Sequence, residues 1–179
     1  MLSCRIIREE MQLPGRFIRG GVETGVTWHY VTEGVDDGDI IIQKSCVIEE
    51  DVKAYELAGV LMQLAFEGFK EIFDMVFNGT ANRNSQCFVQ NRKVYGSKEI
   101  PGNGKFSLTD NPQDIYRLLR SVDYGKTDIF PNLRTIYHEE EIEVLRYMKI
   151  NKENIKEDQN LLYLPLDENN MLKIKYKRL

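Results

Sequence analysis

The stretch TGVTWHYVTEGVDDGDIIIQ, residues 24–43, predicts two strands joined by an acidic turn. The residues before the turn are rich in β-branched and aromatic side chains, which favour strands. The turn itself, residues 33–38, contains two glycines, which adopt turn conformations that other residues avoid. Residues 40–42 are then a short apolar run typical of a buried strand. A loop of this kind presents carboxylates and backbone amides at the end of a sheet, where ligand sites commonly lie.

This stretch resembles the signature of the folate-dependent formyltransferases, which include methionyl-tRNA formyltransferase, glycinamide ribonucleotide formyltransferase and the sugar N-formyltransferases. The shared pattern is a Gly-Val-Thr strand, a polar turn, an Asp followed two residues later by Gly, and a hydrophobic strand. In that superfamily the Asp of the turn is one of three catalytic residues, and it corresponds to Asp36. His29 matches a histidine of several members. The resemblance therefore implies that Asp36 and His29 are catalytic. It also implies a folate donor, 10-formyltetrahydrofolate, held by the other turn residues: Val31, Thr32, Glu33, Gly34, Val35 and Asp37.

Formyl transfer requires a deprotonated amine, stabilisation of an oxyanion, and a proton route to the leaving nitrogen. A carboxylate at the end of a sheet can orient a histidine or a water and stabilise positive charge on the attacking amine. The resemblance implies this role for Asp36, and the alternative is a turn aspartate that only accepts backbone hydrogen bonds. For His29 the alternatives are a residue that tunes Asp36 and a half-buried strand histidine with a backbone partner.

The superfamily also carries an Asn-x-His pair in a nucleotide-binding-like half that precedes the signature. No Asn-x-His occurs in this sequence, in which His29 and His138 are the two histidines. Residues 13–16, LPGR, resemble a shortened form of the Leu-Pro…Arg-Gly loop of the family. The resemblance thus predicts the later two-thirds of a formyltransferase, without the half that binds most of the donor.

Residues 51–78 predict one long helix, capped by Asp51 and terminated at Gly79. Apolar side chains recur at steps of three and four residues, which predicts a broad face buried in the core. Gly59 and Gly68 indicate close packing of this helix against the sheet. The residues of the predicted core face are Tyr55, Ala58, Met62, Ala65, Phe66, Phe69, Phe73, Val76 and Phe77.

Beyond this helix the sequence predicts a second unit. Asn111 followed by Pro112 is a strong helix start. The residues after it, 115–121, resemble a helix that opens the C-terminal domain in the superfamily. Short strands that close on themselves predict a small barrel. The four predicted strands are residues 135–137, 141–150, 161–166 and 171–179.

The predicted fold class is α/β: a partial Rossmann-like formyltransferase sheet with a long helix, followed by a small, mainly β, barrel-like C-terminal domain. The predicted organisation has three parts. Residues 1–79 form the C-terminal part of a formyltransferase catalytic domain, residues 80–110 a linker and loop, and residues 111–179 a helix plus β domain.

Composition narrows the function further. Hydrophobic residues make up 42% and charged residues 29%, which is typical of a globular chain, and the net charge of −4 argues against bulk binding of nucleic acid. Three scattered cysteines and the absence of a signal-like or membrane-spanning run predict a cytoplasmic protein. No metal site is expected, since His138 beside several glutamates is better explained as a solvated strand edge. Basic residues near the C-terminus either contact phosphate or protect an edge strand from pairing: Lys173, Lys175, Lys177 and Arg178.

The sequence therefore predicts an enzyme, a one-carbon transferase that formylates a primary amine with 10-formyltetrahydrofolate. The acceptor is an amino sugar nucleotide or an aminoacyl-tRNA, and the sequence leaves that choice open. The alternative is a truncated, catalytically inactive formyltransferase-like protein that acts as a binding or assembly module, since the Asn-x-His pair is absent. A homodimer is a further candidate partner, because the broad apolar helix face needs cover.

Overall fold

The structure, a computed structural model, describes residues 2–6, 20–33, 38–86, 100–127, 130–156 and 158–179. The chain divides into two compact units, Met1–Ser97 and Lys98–Leu179. In the described residues the strands are β1 (Leu2–Ile6), β2 (Glu23–Tyr30), β3 (Ile40–Val47), β4 (Arg134–Tyr137), β5 (Glu140–Asn151), β6 (Leu161–Pro165) and β7 (Asn170–Arg178). The α-helices are α1 (Ala54–Phe77) and α2 (Pro112–Ser121), with short 3₁₀ turns at Pro101–Gly104 and Lys152–Asn154.

The first unit is an antiparallel sheet of order β1-β2-β3 with α1 packed on it. Strands β2 and β3 form the hairpin that the sequence predicted. The indole of Trp28 in β2 fixes the helix to the sheet, because its Nε1 donates a hydrogen bond to the Ala65 carbonyl at 3.2 Å. At the neighbouring position on β3, Lys44 forms an ion pair of 2.7 Å with Glu71 of the helix.

The helix buries a different face from the one that the sequence predicted. Most of the predicted core residues are exposed, and only Ala58 and Ala65 among them are half-buried. Both faces are apolar, so the periodicity alone could not decide which of them meets the sheet. The buried positions of α1 are Ala54, Leu57, Leu61, Gly68 and Ile72.

The predictions for the two ends of α1 and for the packing of its glycines are confirmed in part. The predicted cap at Asp51 was wrong: the helix begins after Lys53, whose backbone N–H donates to Glu56 Oε2 at 2.8 Å. The predicted end is confirmed, since Gly79 follows the C-cap with φ +68°. Gly68 does pack closely, because an added Cβ would lie 3.0 Å from Trp28 Nε1. Gly59 has nothing within 4 Å of such a Cβ, so close packing was the wrong explanation there.

The second unit packs α2 against an antiparallel sheet of order β4-β5-β7-β6. Asn111 caps α2 as predicted, with Oδ1 accepting from the Gln113 N–H at 2.9 Å. The four predicted strands are all present. The core joins the helix to the inward face of the sheet and comprises Ile115, Tyr116, Leu119, Leu133, Ile142, Val144, Leu162, Leu166, Leu172, Ile174 and Tyr176.

The lysine-bearing strand is not an edge strand. Strand β7 pairs with both β5 and β6 at Lys173 and Lys175, so protection of a sheet edge cannot explain these two lysines. Lys177 lies beyond the β6 pairing. All three lysines project from the face opposite the buried Leu172 and Ile174, as their alternation predicted.

These findings support a mixed α/β fold with a helix-plus-sheet second unit. The strand pairings of both sheets are antiparallel, so the Rossmann-like description of the first part stays a prediction, as do the domain boundaries. Within the residues that the structure describes, no helix has the length and apolar character needed to cross a membrane.

Glu143 gives the second unit a pH-dependent contribution to stability. Its side chain accepts a hydrogen bond from Asn132 at 3.0 Å and pairs with Lys177 at 2.9 Å and Arg134 at 3.6 Å. The hydrogen bond from Asn132, followed by the contacts of Lys177, lowers the pKa of Glu143 below its ordinary value of 4.5. A group with a lowered folded-state pKa stabilises the fold above its unfolded-state pKa, and this contribution disappears as the pH falls through the folded-state pKa.

We therefore expect Glu143→Gln to lower the free energy of unfolding at pH 7, and this deficit to shrink as the pH falls from about 4.5 towards 3. The measurement is chemical denaturation followed by far-UV circular dichroism. The fluorescence of Trp28, the single tryptophan, separates the transition of the first unit. Glu168→Gln, at an exposed turn position, is the control. A deficit that stays constant down to pH 3 would contradict the prediction.

Candidate active site at the mouth of the β2–β3 hairpin

The hairpin is held shut where β2 ends and the acidic turn begins. The Tyr30 N–H donates to the Asp39 carbonyl at 3.0 Å. The turn residues on the outgoing side, Val31, Thr32 and Glu33, are exposed, with Val31 at 46%. Residues 34–37 lie outside the described residues, so the predicted site residues Asp36, Gly34, Val35 and Asp37 keep their roles as predictions.

Gly38 re-enters the sheet against the backbone of β2. A Cβ at this position would lie 1.8 Å from the Tyr30 carbonyl oxygen and 2.8 Å from its carbon, inside any allowed contact. The glycine of the Asp-x-Gly pattern is therefore required by packing, independently of any ligand. It fixes the backbone two residues after Asp36.

His29 lies at the end of β2 beside a β-bulge. Trp28 pairs with Ile42 but His29 pairs with Ile40, so Ile41 is the extra residue. His29 and Ile41 are buried, 4% and 3% exposed. Bulges of this kind re-aim side chains and are common beside active sites. The bulge thus accounts for a buried imidazole next to an exposed polar turn.

The hydrogen bond of His29 fixes its tautomer when the ring is neutral. Nδ1 lies 2.8 Å from the Tyr30 carbonyl oxygen. A carbonyl oxygen can only accept, so Nδ1 carries the proton and Nε2 is the accepting nitrogen. Nε2 is itself buried. The ring is thus oriented by the backbone of the hairpin mouth, and it is buried where the structural alternative expected a half-buried histidine. In that tautomer Nε2 can accept a hydrogen bond.

The segment around residues 83–86 completes the hairpin mouth, although the sequence predicted only a linker there. Asn84 pairs with Ile40 through two backbone hydrogen bonds of 2.7 and 3.0 Å. This pairing carries Arg83 over the Tyr30 ring, 4.1 Å from its centroid, with its guanidinium 3.7 Å from Asp39. Gln86 donates to the Gly38 carbonyl. The polar run around Arg83 was visible in the sequence, but its pairing partner more than 40 positions earlier was not.

The described part of the mouth therefore carries a buried imidazole, His29, and separately a guanidinium 3.7 Å from a carboxylate, Arg83 and Asp39. Such a set can take up a proton and bind an anionic group. In the described residues no group of three or more His, Cys, Asp or Glu side chains is arranged to hold a metal ion.

The sequence comparisons find formyltransferases. The formyl transferase family model matches residues 15–72, which contain the whole hairpin. The methionyl-tRNA formyltransferase of Clostridioides difficile strain 630 is 27% identical over 142 residues, 78% of this chain and 43% of that protein. The methionyl-tRNA formyltransferase of Geobacter metallireducens is 32% identical over 108 residues, 58% of this chain and 32% of that protein. This chain is thus similar to formyltransferases, and it spans less than half the length of these curated relatives.

Solved structures of formyltransferases share the fold. The N-formyltransferase from Helicobacter canadensis, solved with folinic acid and dTDP-3-aminofucose, superposes with a TM-score of 0.68 at 17% identity, over 97% of this chain and 66% of that one. The methionyl-tRNA formyltransferase from Clostridium thermocellum superposes with a TM-score of 0.55 at 16% identity, over 93% of this chain and 61% of that one. At these identities the likeness establishes the fold of the family and not the acceptor.

Proposed function

We propose that this chain carries the acceptor-facing part of a formyltransferase site, which moves the formyl group of 10-formyltetrahydrofolate to a primary amine. The observation that carries the proposal is the hairpin mouth. Gly38 is pressed onto the Tyr30 carbonyl, and the same carbonyl accepts from the buried His29 ring. The family motif and its histidine are thereby tied to one backbone group, which fixes the ends of the turn that contains Asp36.

In this proposal Asp36 acts on the amine. The amine nitrogen attacks the formyl carbon, and a carboxylate at that point stabilises the positive charge that develops on nitrogen. The proton of the amine then leaves to a base, and His29 is proposed to tune Asp36 through a hydrogen bond within the site. The bond from the formyl carbon to the donor nitrogen breaks, and that nitrogen takes up a proton.

The turn residues are proposed to contact the donor. They are Val31, Thr32, Glu33, Gly34, Val35 and Asp37. Support comes from the exposure of the first three, and from the folate compounds in two sugar formyltransferases of the same fold. Arg83 joins this set, since tetrahydrofolates carry carboxylates and a guanidinium binds them well.

The acceptor is proposed to be an amino sugar nucleotide or an aminoacyl-tRNA. Taken by itself, the second unit is proposed to bind phosphate. On the outer face of the second unit, Lys175 pairs across β5 with Arg146, and Lys173 pairs across β6 with Tyr163. Cations beside an aromatic ring are suited to phosphate and base contacts. Since β7 is an interior strand, edge protection no longer competes with this explanation.

A second candidate function follows from the missing Asn-x-His pair. Catalytic residues that act as a unit lose most of their effect when one is removed. The chain would then be a binding or assembly module with the formyltransferase fold and without formyl transfer.

Two measurements on the purified chain separate the candidates. The first is calorimetric titration with 5-formyltetrahydrofolate, with Asp51→Asn as a control variant at an exposed site outside the turn. The second is a formylation assay with 10-formyltetrahydrofolate against amino sugar nucleotides and charged initiator tRNA. Folate binding with transfer to one acceptor supports the enzyme. Folate binding without any transfer supports the binding module, and no binding at all rejects the enzyme for this chain.

A further inference from the structure

Helix α1 presents a second apolar face beside the one that packs on the sheet, and Phe69 on this face lies 5.8 Å from the Trp28 ring of β2. Four phenylalanines follow one another along this face, and we call them the phenylalanine ladder: Phe66, Phe69, Phe73 and Phe77. They are 58%, 44%, 60% and 83% exposed. Three of the rings contact in sequence, with centroids 6.3 Å apart between Phe69 and Phe73 and 6.5 Å apart between Phe73 and Phe77. The ladder is thus an ordered surface and not a set of separate exposed rings.

The size of this face lies at the upper end of what a monomer ordinarily exposes. Met62 and Val76, 74% and 44% exposed, extend it at either end. A whole aromatic side chain covers about 150–250 Å², so the ladder and its extensions expose on the order of 600 Å². A stable interface buries roughly 800 Å² per partner, including its polar rim. The face therefore provides most of what one side of a dimer requires.

The positions of the four rings along α1 nearly match those of a second, antiparallel copy of the helix. The ladder's steps of three, four and four residues keep the rings on one stripe of the helix. When two copies of α1 run antiparallel about a two-fold axis, Phe66 of one lies opposite Phe77 of the other. Phe69 then lies opposite Phe73 to within one residue, or about 1.5 Å of helix rise. Only an isologous pair uses the same stripe twice in this way.

Charges along one flank of the ladder match the same arrangement. Lys70 and Asp74 are exposed and one turn apart on this flank, and Lys70 Nζ lies 4.5 Å from the Phe66 ring centroid. In an antiparallel pair the equivalent flanks of two helices face each other. Lys70 of one copy then lies opposite Asp74 of the other, and the pair occurs twice.

We propose that a second copy of this chain covers the phenylalanine ladder, with the two α1 helices antiparallel and two Lys70–Asp74 ion pairs at the rim. The proposal is independent of formyl transfer. It rests on the size of the apolar face, its near-symmetric spacing and the charges on its flank.

The first test is the mass of the intact chain in solution, measured by light scattering after size-exclusion chromatography. We expect twice the chain mass of 20.9 kDa. Phe73→Lys should give the monomer mass with an unchanged far-UV circular dichroism spectrum, since the side chain is exposed. Ile136→Lys, at a site 59% exposed on the second unit, is the control and should remain dimeric. A monomeric wild type overturns the proposal, as does a dimer that persists in Phe73→Lys.

The second test exchanges the rim charges. Lys70→Asp alone and Asp74→Lys alone place like charges opposite each other, and each should raise the dimer dissociation constant at least about 5-fold at low salt. The double exchange restores opposite charges and should return the constant to within about 2-fold of wild type. Sedimentation equilibrium measures all four proteins. Additive effects, without restoration in the double variant, would show that these two residues do not face each other.

Discussion

Replacing Asp36 with asparagine is expected to abolish formyl transfer while leaving thermal stability nearly unchanged. The amide has the size of the carboxylate and still accepts a hydrogen bond, but it carries no charge to stabilise the developing ammonium. We expect the rate to fall by at least about 10³-fold in whichever form of the protein carries out the reaction, since removal of a catalytic acid or base commonly costs this much. The assay is single-turnover formylation at saturating donor.

Asp51→Asn is the matched control, because Asp51 is an exposed aspartate outside the turn. It should retain the wild-type rate. Thermal denaturation of both variants, followed by Trp28 fluorescence, verifies that the first unit is folded. Wild-type activity in Asp36→Asn would remove Asp36 from the chemistry and leave the hairpin as a structural signature only.

The second large effect is expected from Gly38→Ala. The methyl group would overlap the Tyr30 carbonyl oxygen, so the hairpin mouth has to open. Overpacking of this kind commonly costs about 1–3 kcal/mol, and we expect the upper end because the obstacle is backbone and cannot change rotamer. The measurement is urea denaturation monitored by Trp28, which lies in the same strand two residues before Tyr30.

Gly59→Ala is the control for this substitution. An added Cβ at Gly59 meets nothing within 4 Å, and the residue lies inside α1. It should stabilise the first unit by up to about 1 kcal/mol through helix propensity. Equal effects of the two substitutions would indicate that Gly38 is not held against Tyr30. A Gly38→Ala variant as stable as the wild type would show that the turn does not require a glycine at this position.

The hairpin was predicted because its signals are local. Alternating side chains and turn glycines specify a strand, a turn and a strand within 20 residues, and the second unit followed from an Asn-Pro helix start and period-two strands. The order β4-β5-β7-β6 was not predictable in the same way. An exposed lysine face suits an edge strand as well as an interior one, and only pairing with both neighbours decides between them.

Contacts between residues distant in the sequence explain the two features of the candidate site that the sequence did not predict, the position of Arg83 and the burial of His29. Arg83 contacts Tyr30 because Asn84 pairs with Ile40. The sequence pattern around position 83 does not predict that pairing. The burial of His29 depends in the same way on a bulge in its partner strand. Strand pairing and bulges are set by the match between two segments, so a single segment does not reveal them.

By itself the sequence determined the hairpin, the long helix and the four later strands, because each is encoded by neighbouring residues. The tertiary structure alone decided which apolar face of α1 meets the sheet. The buried face is the one that fits Trp28, whose indole donates a hydrogen bond to the Ala65 carbonyl and lies against Gly68. Leu57, Leu61 and Ile72 are buried on the same face, while the phenylalanine ladder stays 44–83% exposed beside it. Such a fit depends on residues about 40 positions apart, so helix periodicity alone does not reveal it.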